Sequence, residues 1–582
     1  MIIHRVLKKF GEILSKHQKI RIAELAVLMV IGGFLETLSV SLIVPFMSAV
    51  MDPEEMMSRW YVSWFCDLLN LRSSRSFLIA MAVLLALLYI LKNLFLIFQN
   101  NVQARFVYNN MFMTQKRLLR NYLSRPYEYF LEIKSGEVLH VIGSDTTSTF
   151  NILTTLLSLF SETVVSAALI ATLFVISPGI TTGIAAILLG TAMVLLRIIR
   201  PALRKAGIAL GTASAAMNRW MLQSIQGIKE IKIMRKEAFF EENFNREGAV
   251  KVEAQRKNQI LGALPKYLIE AFSMGAFFIV LAAMIYSGIS LEALIPTLSA
   301  VAVAALRLLP AVNRIASQIA SITYNEPRLD KMLENLKNAE TYSRAVPDKI
   351  GEKPERIHPL EREIELSEIT YQYPTSDTEV LCGASMRVEK GMSVGIVGVS
   401  GAGKTTSVDI MLGLLRPRAG SVMIDGTDIR LDKDGWLSQI GYIPQMIFML
   451  DDSIRANVAF GVDPKVIDDE AVWRALKDAA LDDFVRTLRD GLDTQLGERG
   501  VRLSGGQRQR IGIARALYTN PSVLVFDEAT SALDNETESA IMESVNDLRG
   551  RKTMIIIAHR LTTIENCDVV YRVEAGKITR ER

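Results

Sequence analysis

Six apolar stretches, at 25–50, 77–99, 152–176, 180–199, 261–287 and 291–315, constrain this chain more than any other feature. Crossing a hydrocarbon core takes about 20 helical residues, and each stretch is of that order. A soluble protein seldom carries even one such run. Six of them predict an all-α transmembrane domain over 21–325. Half of the 582 residues are hydrophobic and mean hydropathy is +0.24, yet 22% are charged. Apolar and polar material must therefore be segregated along the chain, and the length calls for more than one domain.

Loop charges give an orientation. Segments 101–134 and 197–257 are dense in Lys and Arg, whereas the connections Pro178-Gly179 and 288–290 have none. Basic loops stay in the cytoplasm, which puts both termini there and the 52–75 connection outside. In that connection Met56, Trp60, Trp64 and Leu68 recur at helical spacing and predict a short amphipathic outer helix. The polar continuations of the second to fifth spans keep helical character, so long cytoplasmic helices are expected. Residues 1–20 mix Lys8, Lys9, Lys16 and Lys19 with apolar residues at helical spacing and show no signal h-region. They read as an amphipathic elbow helix on the membrane surface. The net charge of +4 points away from nucleic acid. Cys66, Cys382 and Cys567 lie far apart, without metal-ligand spacing or a disulfide framework.

From 326 to 360 the chain is charged and reads as a linker. Beyond it, over 361–582, short apolar strands alternate with helical patterns, as in an α/β domain. The strand at 393–397 runs into Gly398-Val-Ser400-Gly401-Ala-Gly403-Lys404-Thr405-Thr406, a P-loop in its strand–loop–helix context. The glycines let backbone N–H groups turn onto phosphates at a helix N-terminus. Lys404 adds a charge at the β- and γ-phosphates of ATP, and the Thr405 hydroxyl can ligate Mg²⁺. A second buried strand, 523–526, ends in Asp527 and Glu528. There Asp527 would hold Mg²⁺ through water, and Glu528 would polarise the attacking water. The strand at 553–558 ends at His559, which can meet the same site; a structural hydrogen-bonding role is the alternative. Leu503-Ser504-Gly505-Gly506-Gln507 precedes a helical run and makes either a second anion-binding nest or a plain capped helix.

With these motifs the whole chain resembles the ATP-binding-cassette family, and six spans before one cassette resemble its half-exporters of the type IV fold. The resemblance implies a homodimer in which Ser504, Gly505, Gly506 and Gln507 contact the nucleotide on the partner's P-loop. It further implies that Gln445 senses Mg²⁺, Tyr373 stacks on adenine, and Asp534 sits in the D-loop. By the same resemblance, 497–500 contacts coupling helices, which are expected around 130–138 and 206–218.

Charges inside the spans bear on the substrate, because they are costly unless they face a cavity or a partner. Lys92, Glu270 and Arg307 fall at roughly 21–26 Å from the outer ends of their spans at about 1.5 Å per residue. Arg314 shares a helix face with Arg307. Doubled in a dimer, this layer would present basic forks for phosphate oxygens. The competing reading is that Glu270 neutralises Lys92 or Arg307, with Glu36 and Glu162 as further ion-pair partners. Segments 264–270 and 307–314 and the outer helix are similar to bacterial lipid-linked oligosaccharide flippases of the inner membrane. That likeness implies an anionic polyprenyl-pyrophosphate glycan as substrate. Export of peptides or apolar drugs, and an ATP-gated channel or regulator, are the other readings.

Overall fold

The computed structural model describes residues 2–42, 46, 49–51, 53–59, 62–63, 73–133, 135–176, 178–286, 291–343, 359–374, 376–497, 500–528, 543, 545–558 and 564–582. Contacts divide the chain into two units: Met1–Arg125 with Glu132–Pro347, and Pro126–Leu131 with Asp348–Arg582.

The first unit is helical. Its main elements are α1 (Ile2–Ile13), α2 (Lys16–Ser41), α3 (Ser74–Leu123), α4 (Thr146–Ile176), α5 (Pro178–Gln226), α6 (Glu237–Tyr286) and α7 (Leu291–Ser343). A helix satisfies its own backbone groups, which a bilayer core requires of a spanning segment. Among the described residues, four helices are long and apolar enough to cross a membrane: Lys16–Ser39, Ser74–Leu123, Gly136–Ala171 and Ala185–Gln226. The 50 residues of α3 and of α6 are far more than one crossing uses. At about 1.5 Å per residue each reaches roughly 75 Å, so long extensions beyond the apolar part exist as anticipated. Small residues let the helices close up. A Cβ on Gly207 of α5 would lie 2.0 Å from the Tyr324 carbonyl of α7, so only glycine fits this crossing.

Three expectations are corrected here. The linker at 326–360 does not start at 326, because α7 continues as helix to Ser343. Leu329, Met332 and Leu336 are buried on it, and this apolar stripe keeps the segment helical. The elbow helix does not leave its apolar face for a membrane surface. Ile2, Val6, Phe10 and Ile13 are buried in a protein cluster with Phe106, Leu118, Leu329 and Met332. No separate short helix forms at 206–218: α5 runs through it to Gln226, and the short helix is Ile228–Met234, closed by Arg235 in the left-handed region. In the 52–75 connection, Pro53–Ser58 is helical and buries Met56 against Phe77. Trp60, Trp64 and Leu68 lie outside the described residues.

The second unit is built on two sheets. One is antiparallel, in the order β2-β1-β4-β5, from β1 (Glu363–Tyr371), β2 (Leu381–Glu389), β4 (Ala419–Ile424) and β5 (Thr427–Asp428). The other has the order β10-β9-β3-β8-β7-β6, from β3 (Ser393–Val397), β6 (Ile440–Ile443), β7 (Val523–Asp527), β8 (Thr553–Ile557), β9 (Val569–Glu574) and β10 (Lys577–Arg580). Its β9-β3-β8-β7-β6 core is parallel, and β3, β7 and β8 are buried at every residue. This is why these strands read as unbroken apolar runs rather than as alternations. One apolar core lies between the two sheets and helix α8 (Lys404–Met411). The other packs around helix α9 (Gly505–Leu517) and segment 454–496. Cys567 is buried and its thiol is pushed up to about 11 by that burial, while Cys382 is half-buried; neither forms a disulfide.

Candidate nucleotide-binding site

The carboxyl ends of the parallel strands gather the site, where open α/β sheets hold ligands. At the end of β3 the chain turns through Gly398, Ser400, Gly401 and Gly403 into α8. Gly398 has φ +152°, and a Cβ there would lie 2.3 Å from the Val573 carbonyl. Gly403 caps the helix with φ +105°. Lys404 is buried, and its Nζ donates to the Gly398 carbonyl at 3.0 Å and the Val399 carbonyl at 3.2 Å. The ammonium thus sits inside the loop that would wrap a phosphate chain. Thr406 Oγ1 is 3.0 Å from the Tyr373 hydroxyl, and Tyr373 meets Tyr371 edge-to-face at 5.1 Å.

At the end of β7, Asp527 and Glu528 face this loop. Thr405 Oγ1 donates to Asp527 Oδ1 at 3.5 Å, and Gln445 Nε2 donates to Glu528 Oε2 at 2.7 Å. Thr405, Gln445 and the adjacent pair Asp527 and Glu528, three places far apart in sequence, are therefore brought together. The donors available are hydroxyl, carboxylate and amide oxygens, the set a Mg²⁺ ion takes. Glu528 adopts φ +49°, an unfavourable conformation for a residue with a Cβ, and such strain concentrates at functional positions.

Two neighbours escaped the sequence reading. Tyr442 of β6 donates its hydroxyl to Asp527 Oδ2 at 3.0 Å. Burial and the charge of Asp527 raise the Tyr442 pKa, so it stays a donor. Asp409, on the buried side of α8, is pushed up to about 6 by burial and by Asp527. Asp527 itself is raised, through burial first, against the bonds from Tyr442 and Thr405. A polar residue on an apolar strand or helix face was the available signal for both.

The signature segment forms a capping box. Gln507 N donates to Ser504 Oγ at 3.2 Å, and Ser504 N donates to Gln507 Oε1 at 2.9 Å, with Gly505 and Gly506 opening α9. Farther along α9, Arg515 donates to the Asn457 carbonyl at 2.8 Å and the Phe448 carbonyl at 2.8 Å, tying this helix to the segment after Gln445. Burial lowers the Arg515 pKa to about 10, which leaves it charged. Segment Pro126–Leu131 belongs to this unit: Glu128 Oε1 accepts from Arg416 N at 3.0 Å and from the Tyr371 hydroxyl at 3.4 Å. It overlaps only the start of the expected 130–138. His559, Asp534, Glu498 and Arg499 lie outside the described residues.

In the helical unit, Arg314 Nε pairs with Glu162 Oε1 at 2.7 Å, so Glu162 takes the role foreseen for it. Lys92 Nζ lies 4.8 Å from the ring centre of Tyr89. Glu270 is exposed and has no ion-pair partner among the described residues, so it does not neutralise Lys92. The Arg307 side chain lies outside the described residues.

Comparison with known proteins agrees with these motifs. The model described as ABC transporter transmembrane region matches residues 27–304, and that described as ABC transporter matches 381–531. An ATP-dependent lipid A-core flippase of Bordetella avium is 38% identical over 283 residues, 48% of this chain and 47% of that protein. Multidrug resistance protein 1 of Entamoeba histolytica is 40% identical over 40% of this chain, but over only 18% of its own length. ABC transporter B family member 29, chloroplastic, of Arabidopsis thaliana is 29% identical over 81% of this chain and 74% of its own. This chain thus spans about half the length, or less, of the first two. A solved structure of a bacterial Atm1-family ABC exporter with ATP bound superposes with a TM-score of 0.77 at 24% identity, covering 97% of this chain and 95% of that one. The fold is that of an ABC exporter.

Proposed function

Since the chain belongs to the ATP-binding-cassette transporters, we propose that it is an ATP-hydrolysing exporter that acts as a homodimer. Its cargo in this reading is an anionic amphiphile, a polyprenyl-pyrophosphate-linked glycan, moved from the inner to the outer leaflet of a bacterial inner membrane. The observation that carries the motor part is the meeting of Lys404, Thr405, Gln445, Asp527 and Glu528 at the strand ends.

The P-loop amides and Lys404 bind the phosphates, and Thr405, Asp527 and Gln445 would hold Mg²⁺, whose charge offsets that of the transferring phosphoryl group. Glu528 accepts a bond from Gln445 and orients the attacking water as general base. The signature segment of a second copy would close each site, through the Gly505 and Gly506 N–H groups at the start of α9. His559 and Asp534 complete the arrangement in this reading.

Lys92 supports the anionic cargo, because among the described residues no carboxylate pairs with it. The flippase relative agrees in kind. Neutralisation of Arg314 by Glu162 favours a second reading, export of peptides or apolar drugs.

ATP turnover in lipid nanodiscs, with and without a polyprenyl-pyrophosphate glycan, tests both parts. Wild type is expected to be stimulated several-fold, and Glu528→Gln to bind ATP with turnover reduced about 100-fold or more. Hydrolysis near wild type in Glu528→Gln would remove that residue from its role. Stimulation by a peptide or drug panel alone would establish the second reading.

A further inference from the structure

We propose that Tyr442 is a positioning residue for magnesium: its hydroxyl fixes one oxygen of Asp527 so that the other faces Thr405 and the ion. The proposal rests on the reading of Asp527 as the magnesium-side carboxylate. The register of the sheet makes the contact. Tyr442 stands opposite Val525 on the neighbouring parallel strand, and side chains two apart share a face, so Tyr442 lies on the Asp527 side of β7. A phenol spans the remaining distance along the strand, and the hydroxyl donates to Oδ2 at 3.0 Å. Oδ1 is left toward Thr405 Oγ1 at 3.5 Å. The two oxygens of one carboxylate thereby serve two tasks.

A carboxylate that holds a metal-bound water must keep its plane fixed, and groups one bond removed from the ion do that fixing. Without the phenol, the Asp527 carboxylate can rotate about its last side-chain bond. Tyr442 reaches Asp527 from β6, the strand that leads directly into Gln445, so it links the placement of two oxygen donors.

Tyr442→Phe keeps the ring and removes only the donor. In the full-length protein in nanodiscs, the test is binding of a fluorescent ATP analogue, in EDTA and across a Mg²⁺ titration, alongside the Mg²⁺ dependence of ATP turnover. The variant should bind nucleotide in EDTA within about twofold of wild type. Its half-saturating Mg²⁺ concentration should rise about 10-fold in both readouts, with turnover at saturating Mg²⁺ largely retained. An unchanged Mg²⁺ dependence would overturn the proposal, and so would an equal loss of binding in EDTA, which would mark a general structural role. Asp527→Asn separates the two levels. If it also leaves the Mg²⁺ dependence unchanged, the assignment of Asp527 falls and the proposal with it. If it alone raises the requirement, Asp527 stands and the role of Tyr442 is refuted.

Discussion

Asp425 shows how one carboxylate can anchor the entry to a domain. It accepts the backbone N–H groups of Glu361, Arg362 and Glu363 at 2.7–2.8 Å, and so fixes where the chain enters β1. Burial pulls its carboxyl pKa upward, but the three backbone donors outweigh this and hold it below the ordinary carboxylate range. A depressed folded-state pKa stabilises above the unfolded value, near 3.9, and the contribution disappears as pH falls through the folded value. The residue has φ +51°, which Asn tolerates, so Asp425→Asn removes the charge without adding strain. The variant should melt below wild type at pH 6, and the gap should close as pH drops below about 4. Thermal unfolding in detergent across that range measures it; a gap independent of pH would contradict the anchoring role. Arg515 is a second single-residue tie, joining the signature helix to the backbone at Phe448.

At the scale of elements, α1 is fastened to α7 by charge as well as by its apolar face. Glu326 is completely buried and meets Lys9 Nζ at 3.2 Å and Arg5 at 3.6 Å, while Lys9 also pairs with Asp330. One turn beyond, Lys337 bonds Glu12 at the surface. Removing one partner of a buried pair strands the other charge, whereas surface pairs contribute little. Arg5 still faces Glu326 when Lys9 is lost, so Lys9→Ala should destabilise by less than the roughly 3–5 kcal/mol of a fully broken buried pair. Lys337→Ala should melt like wild type. Equal melting temperatures for the two variants would show that the charge clamp does not hold α1. Helix closeness matters too: the Gly207 crossing admits no side chain against the Tyr324 carbonyl.

For the whole molecule, the charges within the spans divide into structural and functional candidates. Arg314 is satisfied by Glu162, and its loss would leave a carboxylate that is only 22% exposed without a partner. Arg314→Ala should therefore lower thermal stability and leave cargo-stimulated turnover, per folded molecule, near wild type. Lys92→Ala and Arg307→Ala should do the reverse, abolishing stimulation while sparing stability. Melting curves and ATP turnover in nanodiscs distinguish the cases. If Arg314→Ala alone abolished stimulation, the division would be wrong and Arg314 would be a cargo ligand.

The spans, the α/β cassette and its phosphate-binding loop were legible because each depends on local pattern. Apolar length decides a span, and the Gly398–Thr405 spacing follows from the backbone geometry a phosphate needs. Glu528 and Gln445 were named by motif, but their 2.7 Å bond exists only because β6 and β7 are neighbours in the sheet. Strand order likewise brings Tyr442 to Asp527, and nothing within a few residues of either encodes it. The linker's first part read as polar because local charge density hides a stripe at 329, 332 and 336 that is apolar only toward its packing partners. The pairing of Arg314 with Glu162 joins two helices whose relative rotation no single-helix pattern determines. Sequence set what each segment can be, since propensity and burial act along the chain. Tertiary structure decided which charges and donors meet, since those depend on distances between segments.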